Sequence, residues 1–166
     1  TGQKKATGEI GGIEVRGPNV FKGYWNMPDK TELELRENGY FITGDLGTIC
    51  SDGYLSIVGR EKDLIISGGY NVYPKEVEDV LNELGEIEES AVFGVSDKDF
   101  GERVIAAIVI VDNENFNQSQ TESFVNHKLA RYKQPKEYVV LEALPRNTMG
   151  KVQKNELRKR FSNPKD

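Results

Sequence analysis

Residues 59–78 read Gly-Arg-Glu-Lys-Asp-Leu-Ile-Ile-Ser-Gly-Gly-Tyr-Asn-Val-Tyr-Pro-Lys-Glu-Val-Glu, and the fold can be worked out from this stretch. A short β-branched run, then Gly68-Gly69 and a second extended segment, predict a small β-hairpin with the glycines in its turn. Pro74 suits the first turn of a helix, and acidic residues follow it where the helix dipole favours negative charge. The stretch therefore predicts a hairpin that leads directly into a helix.

The residues before this stretch form short apolar runs separated by glycine and proline. Tyr24 and Trp25 are expected to form a buried aromatic pair, and Cys50, the single cysteine, is expected to be a packed strand residue. We expect strands at residues 13–16, 40–42, 47–50 and 54–58, and a helix within residues 28–37. This pattern predicts a β-rich piece of a barrel or a sheet.

The residues after the hairpin alternate between helical and extended patterns, so we place a domain boundary between residues 61 and 62. A continuous apolar run at residues 104–111 predicts a strand buried on both faces, which requires helices on both sides of its sheet. Ser119 and Glu122 match a capping box, which predicts the start of a helix. The other expected elements are a helix at 74–84 stopped by Gly85, a strand at 90–95, a polar surface loop at 112–120, a strand at 137–141 and a helix at 153–161.

These patterns predict an α+β fold with two parts. Residues 1–61 are expected to form the β-rich part, and the chain is expected to be a fragment of a longer one, because it begins with Thr1 and enters directly into strand-like sequence. Residues 62–166 are expected to form a small domain with a hairpin and a central mixed sheet covered by helices. The net charge of −5 does not indicate a nucleic-acid partner, and no apolar run reaches membrane-spanning length, which favours a cytoplasmic setting.

A candidate binding residue lies in the segment Tyr-Phe-Ile-Thr-Gly-Asp-Leu-Gly, residues 40–47. Asp45 stands between glycines at the expected end of an apolar strand, where an aspartate is most often a turn residue. Its carboxylate could also accept hydrogen bonds from both hydroxyls of a cis-diol, and the glycines would let a ribose approach the backbone.

A candidate catalytic residue lies in the segment Leu-Pro-Arg-Asn-Thr-Met-Gly-Lys-Val, residues 144–152. The segment is not a phosphate-binding P-loop, because Pro145 replaces the first glycine and Val152 replaces the serine or threonine that would hold magnesium. A Gly-Lys pair by itself indicates little about function. An ammonium group such as that of Lys151, on a loop before the last helix, is chemically able to neutralise negative charge on a reacting phosphate.

The three segments together resemble the motifs of adenylate-forming enzymes, which include acyl-CoA synthetases, luciferases and the adenylation domains of peptide synthetases. The first of them has the form Gly-Arg-x-Lys-Asp-x-Ile-x-x-Gly-Gly-x-Asn-x-x-Pro-x-Glu-x-Glu. The resemblance covers nearly all of the chain and is closest to malonyl-CoA synthetases and fatty acyl-CoA ligases. It implies an ATP-dependent acid-thiol ligase that forms an acyl-adenylate and then an acyl-CoA thioester.

The resemblance also implies a role for each matching residue. Asp45 and Arg60 are expected to bind the nucleotide, Lys62 to be the hinge between the two domains, and Lys151 to act in adenylation. Gly69 is expected to line the path of coenzyme A. The resemblance implies that residues 1–61 are the C-terminal end of the large AMP-binding domain, a partial barrel. The carboxylic acid pocket and the magnesium ligands are expected upstream, in the missing N-terminal part of that domain, so the fragment alone is expected to be inactive.

Three questions stay open at the level of sequence. The thiol acceptor is expected to be coenzyme A, but an adenylation domain that loads a carrier protein, or a non-catalytic nucleotide-binding remnant, would carry similar segments. Malonate is the favoured acid, although the side chains that would contact it lie outside this chain. Basic clusters at residues 128–136 and 154–160 are either solvated surface or a contact for coenzyme A phosphates.

Overall fold

Two units, residues 1–62 and 63–166, make up the chain in the computed structural model, which describes residues 2–112 and 116–162. The break between the units lies one residue beyond the boundary expected from the sequence. The first unit contains β1 (Gly11–Val15), α1 (Pro28–Glu34), β2 (Phe41–Ile49) and β3 (Leu55–Arg60). The second contains β4 (Ile65–Ser67), β5 (Tyr70–Val72), α2 (Pro74–Leu81), β6 (Ile87–Asp97), β7 (Gly101–Ile110), α3 (Gln118–Lys128), β8 (Glu137–Val140) and α4 (Lys154–Phe161).

The first unit is an antiparallel sheet in the order β1-β2-β3. The sequence predicts two strands where the structure has the single strand β2, so that part of the prediction was wrong. The reason is a bulge: residues 43–45 of β2 lie opposite the one residue Ile13 of β1, and Gly44 takes a φ of +71° there. The bulge places Asp45 inside a strand rather than at the end of one.

Two burial predictions for the first unit were also wrong. The side chain of Trp25 is 89% exposed, because Trp25 lies in a turn before α1 and only Phe21, Tyr24 and Phe41 pack their rings together. Cys50 is exposed as well, because it lies in the turn between β2 and β3 rather than within a strand. Its N–H donates to the carbonyl of Tyr54 across that turn. The fold of this part is β-rich as predicted.

The second unit is built around β7, which pairs with β6 along its length and with the parallel strand β8 on its other edge. Hairpin β4–β5 joins the same sheet where Ser67 pairs with Gly101. One face of the sheet packs Val104, Ala106 and Ile108 against α2 and α3, and the other packs Ile105, Ala107 and Val109 against Leu157 of α4. The predicted mixed sheet with helices on both faces is therefore confirmed.

Local signals predicted the helices with errors at two helix ends. Helix α2 begins at Pro74 as expected but ends at Leu81, where Asn82 caps it, one turn before Gly85. The capping box at Ser119 was wrong, because Asn117 is the N-cap of α3 and its side chain accepts a hydrogen bond from the N–H of Gln120. The surface loop expected at residues 112–120 was too long, because residues 118–120 belong to α3, and residues 113–115 lie outside the described residues.

Phe93 gives a direct test of this core. Its side chain is fully buried in β6, and its ring centroid lies 6.0 Å from that of Phe161 in α4. Phe93→Ala is expected to lower the free energy of unfolding by about 3–5 kcal/mol, because the cavity can relax only in part. Urea unfolding should show this loss, while the control Val111→Ala, at a side chain that is 66% exposed, should change stability little. Equal losses in both variants would contradict the assignment of Phe93 to the core.

Candidate functional site

In the first unit, Asp45 and Arg60 face each other as register partners of β2 and β3. Arg60 Nε lies 2.7 Å from Asp45 Oδ1, and the two side chains are 51% and 25% exposed. The pair is therefore an ion pair at the surface of the sheet, open to a ligand. The structure brings together the two residues that the sequence predicted to share one task.

Thr43, which sequence reasoning missed, supports this pair. Its hydroxyl donates to the carbonyl of Ile13 at 2.8 Å and accepts the N–H of Asp45 at 3.0 Å. Arg60 Nη1 also donates to the carbonyl of Thr43 at 3.2 Å. A threonine two residues before an aspartate is a known side-chain turn pattern, so the local signal was present in the sequence.

Asp45 and Arg60 line an open cleft of about 740 Å³ in the first unit, which is within the size range of small-ligand sites. Tyr24, Lys30 and Glu34 form its other side. The hydroxyl of Tyr24 donates to Glu34, which raises the pKa of Tyr24, and Lys30 Nζ lies 4.2 Å from the centre of the Tyr24 ring. The cleft thus offers carboxylates, an ammonium and a guanidinium around an aromatic ring.

The predicted hinge residue Lys62 is exposed and lies in a short 3₁₀ turn, Glu61–Asp63, at the break between the two units. Asp63, the first residue of the second unit, is tied to α4 because Arg158 Nη2 lies 3.1 Å from its carboxylate. The anchored part of the second unit therefore begins directly after Lys62. The role of Lys62 as a pivot remains a prediction.

Gly68 and Gly69 form the two-residue turn of hairpin β4–β5, as predicted. Their φ angles of +58° and +81° are both in the left-handed region, which is typical of a type I′ turn and favours glycine. The N–H of Gly68 donates to the carbonyl of Phe100 at 2.8 Å. A Cβ added at Gly69 would meet no described atom within 4 Å, so this edge of the turn faces open space.

Glu102 holds this hairpin against the sheet and was not expected from the sequence. Its Oε2 accepts the N–H of Ile66 at 2.7 Å, next to the single pairing of β4 with β7. Gly94 makes room for it, because a Cβ at that position would lie 2.8 Å from Oε1 of Glu102. No local pattern signals this contact, since it joins residues that are distant in sequence.

Lys151 lies exposed at the end of a tight turn before α4. Oδ1 of Asn147 accepts the N–H groups of Met149 at 3.0 Å and of Lys151 at 2.9 Å. The N–H of Asn147 in turn donates to the carbonyl of Lys151 at 2.9 Å. The backbone that carries Lys151 is therefore held in one conformation by the side chain and backbone of Asn147.

Gly69 and Lys151 lie at opposite ends of the same sheet. The turn at Gly69 lies next to the turn between β6 and β7, where Asp97 pairs with Gly101. The loop of Lys151 lies near the other end of β6, because Arg146 links it to Glu89. The rise of a strand places Glu89 and Asp97 about 26 Å apart. The fold thus separates these two predicted site residues while it joins Asp45 to Arg60.

Several residues of the two basic clusters form ion pairs with acidic side chains of the second unit. These pairs are Lys128 with Glu83, Lys133 with Glu76, Lys154 with Glu78 and Arg158 with Asp63. Among the described residues, no group of three or more His, Cys, Asp or Glu side chains could hold a metal ion. Within residues 2–112 and 116–162, no helix is long and apolar enough to cross a membrane.

Comparisons with known proteins agree with this description. The long-chain-fatty-acid–CoA ligase of Bacillus subtilis strain 168 is 42% identical over 95% of this chain and 28% of its own length. The indoleacetate–CoA ligase of Aromatoleum aromaticum is 43% identical over 91% of this chain and 29% of its own length. The ATP-bound MatB of Rhodopseudomonas palustris is 50% identical, covers 98% of this chain and 32% of its own, and superposes with a TM-score of 0.91.

The chain spans less than a third of the length of these two curated relatives. A family model described as the AMP-binding enzyme C-terminal domain matches residues 76–151, which run from the first turn of α2 to Lys151. Residues 76–151 of this chain therefore belong to the C-terminal domain family of AMP-binding enzymes, and the two curated relatives named above are acyl-CoA ligases.

Proposed function

We propose that this chain is the C-terminal part of an ATP-dependent acid:CoA ligase that works in two half-reactions, adenylation and thioester formation. The observation that carries the proposal is that the loop of Lys151 and the Gly68-Gly69 turn lie at opposite ends of one sheet, next to strand positions that are about 26 Å apart. Two loops so far apart cannot serve the same reacting centre at the same time. The small domain therefore presents a different end of its sheet in each half-reaction.

In the first half-reaction, a carboxylate oxygen of the acid attacks the α-phosphorus of ATP, and the bond to pyrophosphate breaks. Asp45 accepts hydrogen bonds from the ribose hydroxyls, and Arg60, oriented by Asp45, binds on the nucleotide side. Lys151 places its ammonium between the attacking carboxylate and the α-phosphate, where negative charges meet.

In the second half-reaction, the thiol sulfur of coenzyme A attacks the acyl carbon, and AMP leaves. We infer that the second unit first turns about Lys62, so that Lys151 leaves and the Gly68-Gly69 turn comes to the reacting centre. The open space at Gly69 and its positive φ support this role, because a side chain there would occupy the path of the pantetheine. A carrier-protein thiol is the less favoured acceptor, since the relatives named above are CoA ligases.

Malonate is the acid that we propose on the resemblance of the motifs at residues 42–47 and 68–76 to malonyl-CoA synthetases. Relatives named for a long-chain fatty acid and for indoleacetate match this chain at nearly the same identity, 42% and 43%, so overall similarity of this segment does not distinguish between those acids. The acid-binding side chains and the magnesium ligands are therefore proposed to lie in the longer protein outside this chain. We also propose a cytoplasmic location.

An assay of the full-length protein tests the reaction and the acid together. Thioester formation that depends on ATP and coenzyme A should be measured with malonate, acetate, and short- and long-chain acids, and the kcat/KM values should be compared. We expect malonate to be used best. A higher value for another acid would replace the proposed substrate, and no thioester with any acid would refute the ligase itself.

Asp45→Asn tests the nucleotide site. The variant removes the charge that orients Arg60 and weakens one of the acceptors for the ribose hydroxyls, so the KM for ATP is expected to rise about 10- to 100-fold. The measurement is ATP–pyrophosphate exchange as a function of ATP concentration. Asp52→Asn is the matched control, because Asp52 is an exposed aspartate of the same unit in the turn between β2 and β3. An unchanged KM for ATP in Asp45→Asn would contradict the assignment.

A further inference from the structure

Arg146 contacts the loop of Lys151 at a point that sequence reasoning did not assign. Its Nη1 donates to the carbonyl of Gly150 at 2.7 Å, and its Nη2 forms an ion pair with Glu89 of β6. The two contacts use different nitrogens of one rigid, planar guanidinium, so the position of Glu89 determines where Nη1 can reach. A strand residue is thus linked through one side chain to the residue before Lys151.

The carbonyl of Gly150 belongs to the same peptide unit as the N–H of Lys151. Asn147 holds that N–H at 2.9 Å, and Arg146 holds the carbonyl at 2.7 Å, so both polar ends of this peptide are fixed by side chains. Gly150 has a φ of +77°, and a glycine can leave such a conformation more freely than other residues. Without Arg146, the peptide plane would be held from one side only.

We propose that Arg146, oriented by Glu89, is a positioning residue that sets the direction in which Lys151 extends from its loop. This inference rests on the proposed function of Lys151 in adenylation. The side chain of Lys151 is long, so a small rotation of the peptide before it becomes a large displacement of its ammonium. A displacement of about 1 Å at a reacting group can cost about 100-fold in rate.

A purely structural role for the pair makes a different prediction. Both side chains are partly exposed, 44% for Arg146 and 28% for Glu89, and ion pairs of this kind contribute little to stability. If the pair only stabilised the second unit, its loss would reduce both half-reactions in proportion to the loss of folded protein. A positioning role instead reduces kcat of adenylation alone.

The test uses the full-length protein and measures the half-reactions separately. Arg146→Ala is expected to lower kcat of ATP–pyrophosphate exchange about 10- to 100-fold, with KM for ATP and thioester formation from supplied acyl-adenylate nearly unchanged. Glu89→Gln should show a smaller loss of the same kind. Glu83→Gln is the matched control, because it removes the partner of Lys128 from a comparable exposed ion pair and touches neither loop.

A charge reversal distinguishes the hydrogen bond from Arg146 to Gly150 from the ion pair between Arg146 and Glu89. In the double variant Glu89→Arg with Arg146→Glu, an ion pair can form again, but a glutamate at position 146 cannot donate to the carbonyl of Gly150. We expect the melting temperature to stay close to that of the wild type and the rate of ATP–pyrophosphate exchange to stay low. Recovery of the exchange rate, or an equal loss of both half-reactions in Arg146→Ala, would overturn the proposal.

Amide hydrogen exchange tests the conformation of the Lys151 loop without an activity assay. Arg146→Ala should speed the exchange of the Lys151 amide, while Glu83→Gln should leave it unchanged. If the wild type forms no adenylate from any acid but this difference is seen, the proposed reaction fails and the positioning by Arg146 stands. If the hydrogen-exchange rate of the Lys151 amide is the same in Arg146→Ala as in the wild type, Arg146 does not position Lys151.

Discussion

Lys151→Ala is expected to reduce the rate of adenylation about 100- to 1,000-fold, equivalent to about 3–4 kcal/mol in barrier height. The variant removes the ammonium that neutralises the carboxylate and the α-phosphate as they approach. ATP–pyrophosphate exchange measures this half-reaction directly. Thioester formation from a supplied acyl-adenylate should continue near the wild-type rate, because Lys151 lies at the far end of the sheet from the Gly68-Gly69 turn.

The control for this prediction is Lys75→Ala. Lys75 is an exposed lysine of α2 that pairs with Asp79, so its removal takes away the same charge from the same unit without a change in the loop of Lys151. Exchange in Lys75→Ala should remain close to wild type. Wild-type exchange in Lys151→Ala, or an equal fall in both variants, would show that Lys151 has no specific part in adenylation.

Gly69→Leu is expected to have the opposite selectivity. A leucine side chain at this turn would project into the open space at Gly69, where the pantetheine is proposed to pass, and thioester formation should fall about 100-fold or more. ATP–pyrophosphate exchange should be nearly unchanged. Because φ at Gly69 is +81°, the leucine is also expected to cost about 1–2 kcal/mol in the free energy of unfolding.

Gly53→Leu is the control that distinguishes backbone strain from obstruction of the pantetheine path. Gly53 has a φ of +83°, and a Cβ there would also meet no described atom within 4 Å, so the two substitutions cost similar backbone strain in similar open turns. Only Gly69→Leu should lose thioester formation. If Gly53→Leu lost as much, or if Gly69→Leu lost both half-reactions equally, the assignment of the Gly68-Gly69 turn to the thiol step would be refuted.

Local chemistry explains why much of this fold could be predicted. Two adjacent glycines between extended segments specify a tight hairpin turn, and Pro74 specifies the start of α2, because each restricts the backbone without help from distant residues. The continuous apolar run of β7 likewise required cover on both faces. The errors at Trp25, Cys50 and Ser119 arose where burial or capping depended on neighbours that no local pattern names.

The residues of the candidate site also fall into two groups, those that the sequence identifies and those that only the structure reveals. Asp45, Arg60, Gly69 and Lys151 stand in recognisable segments, so their residue types and spacing pointed to a ligase before the fold was described. Their roles remain predictions that the experiments above address. The residues that hold them, Glu102 and the pair of Arg146 with Glu89, have no such signal in the sequence.

The sequence by itself determined the hairpin and the start of α2, because glycine and proline restrict the backbone locally. It also determined the burial of β7 on both faces, because its apolar run is continuous, and it identified the charged candidate residues by their motifs. Only the tertiary structure decided that Asp45 lies on a bulge against Arg60 and that Gly69 and Lys151 lie at opposite ends of one sheet. It also joined Arg146 to Glu89 across 57 residues of chain. Contacts of that range depend on how strands pair, and strand pairing is decided by the packing of the whole sheet rather than by neighbouring residues.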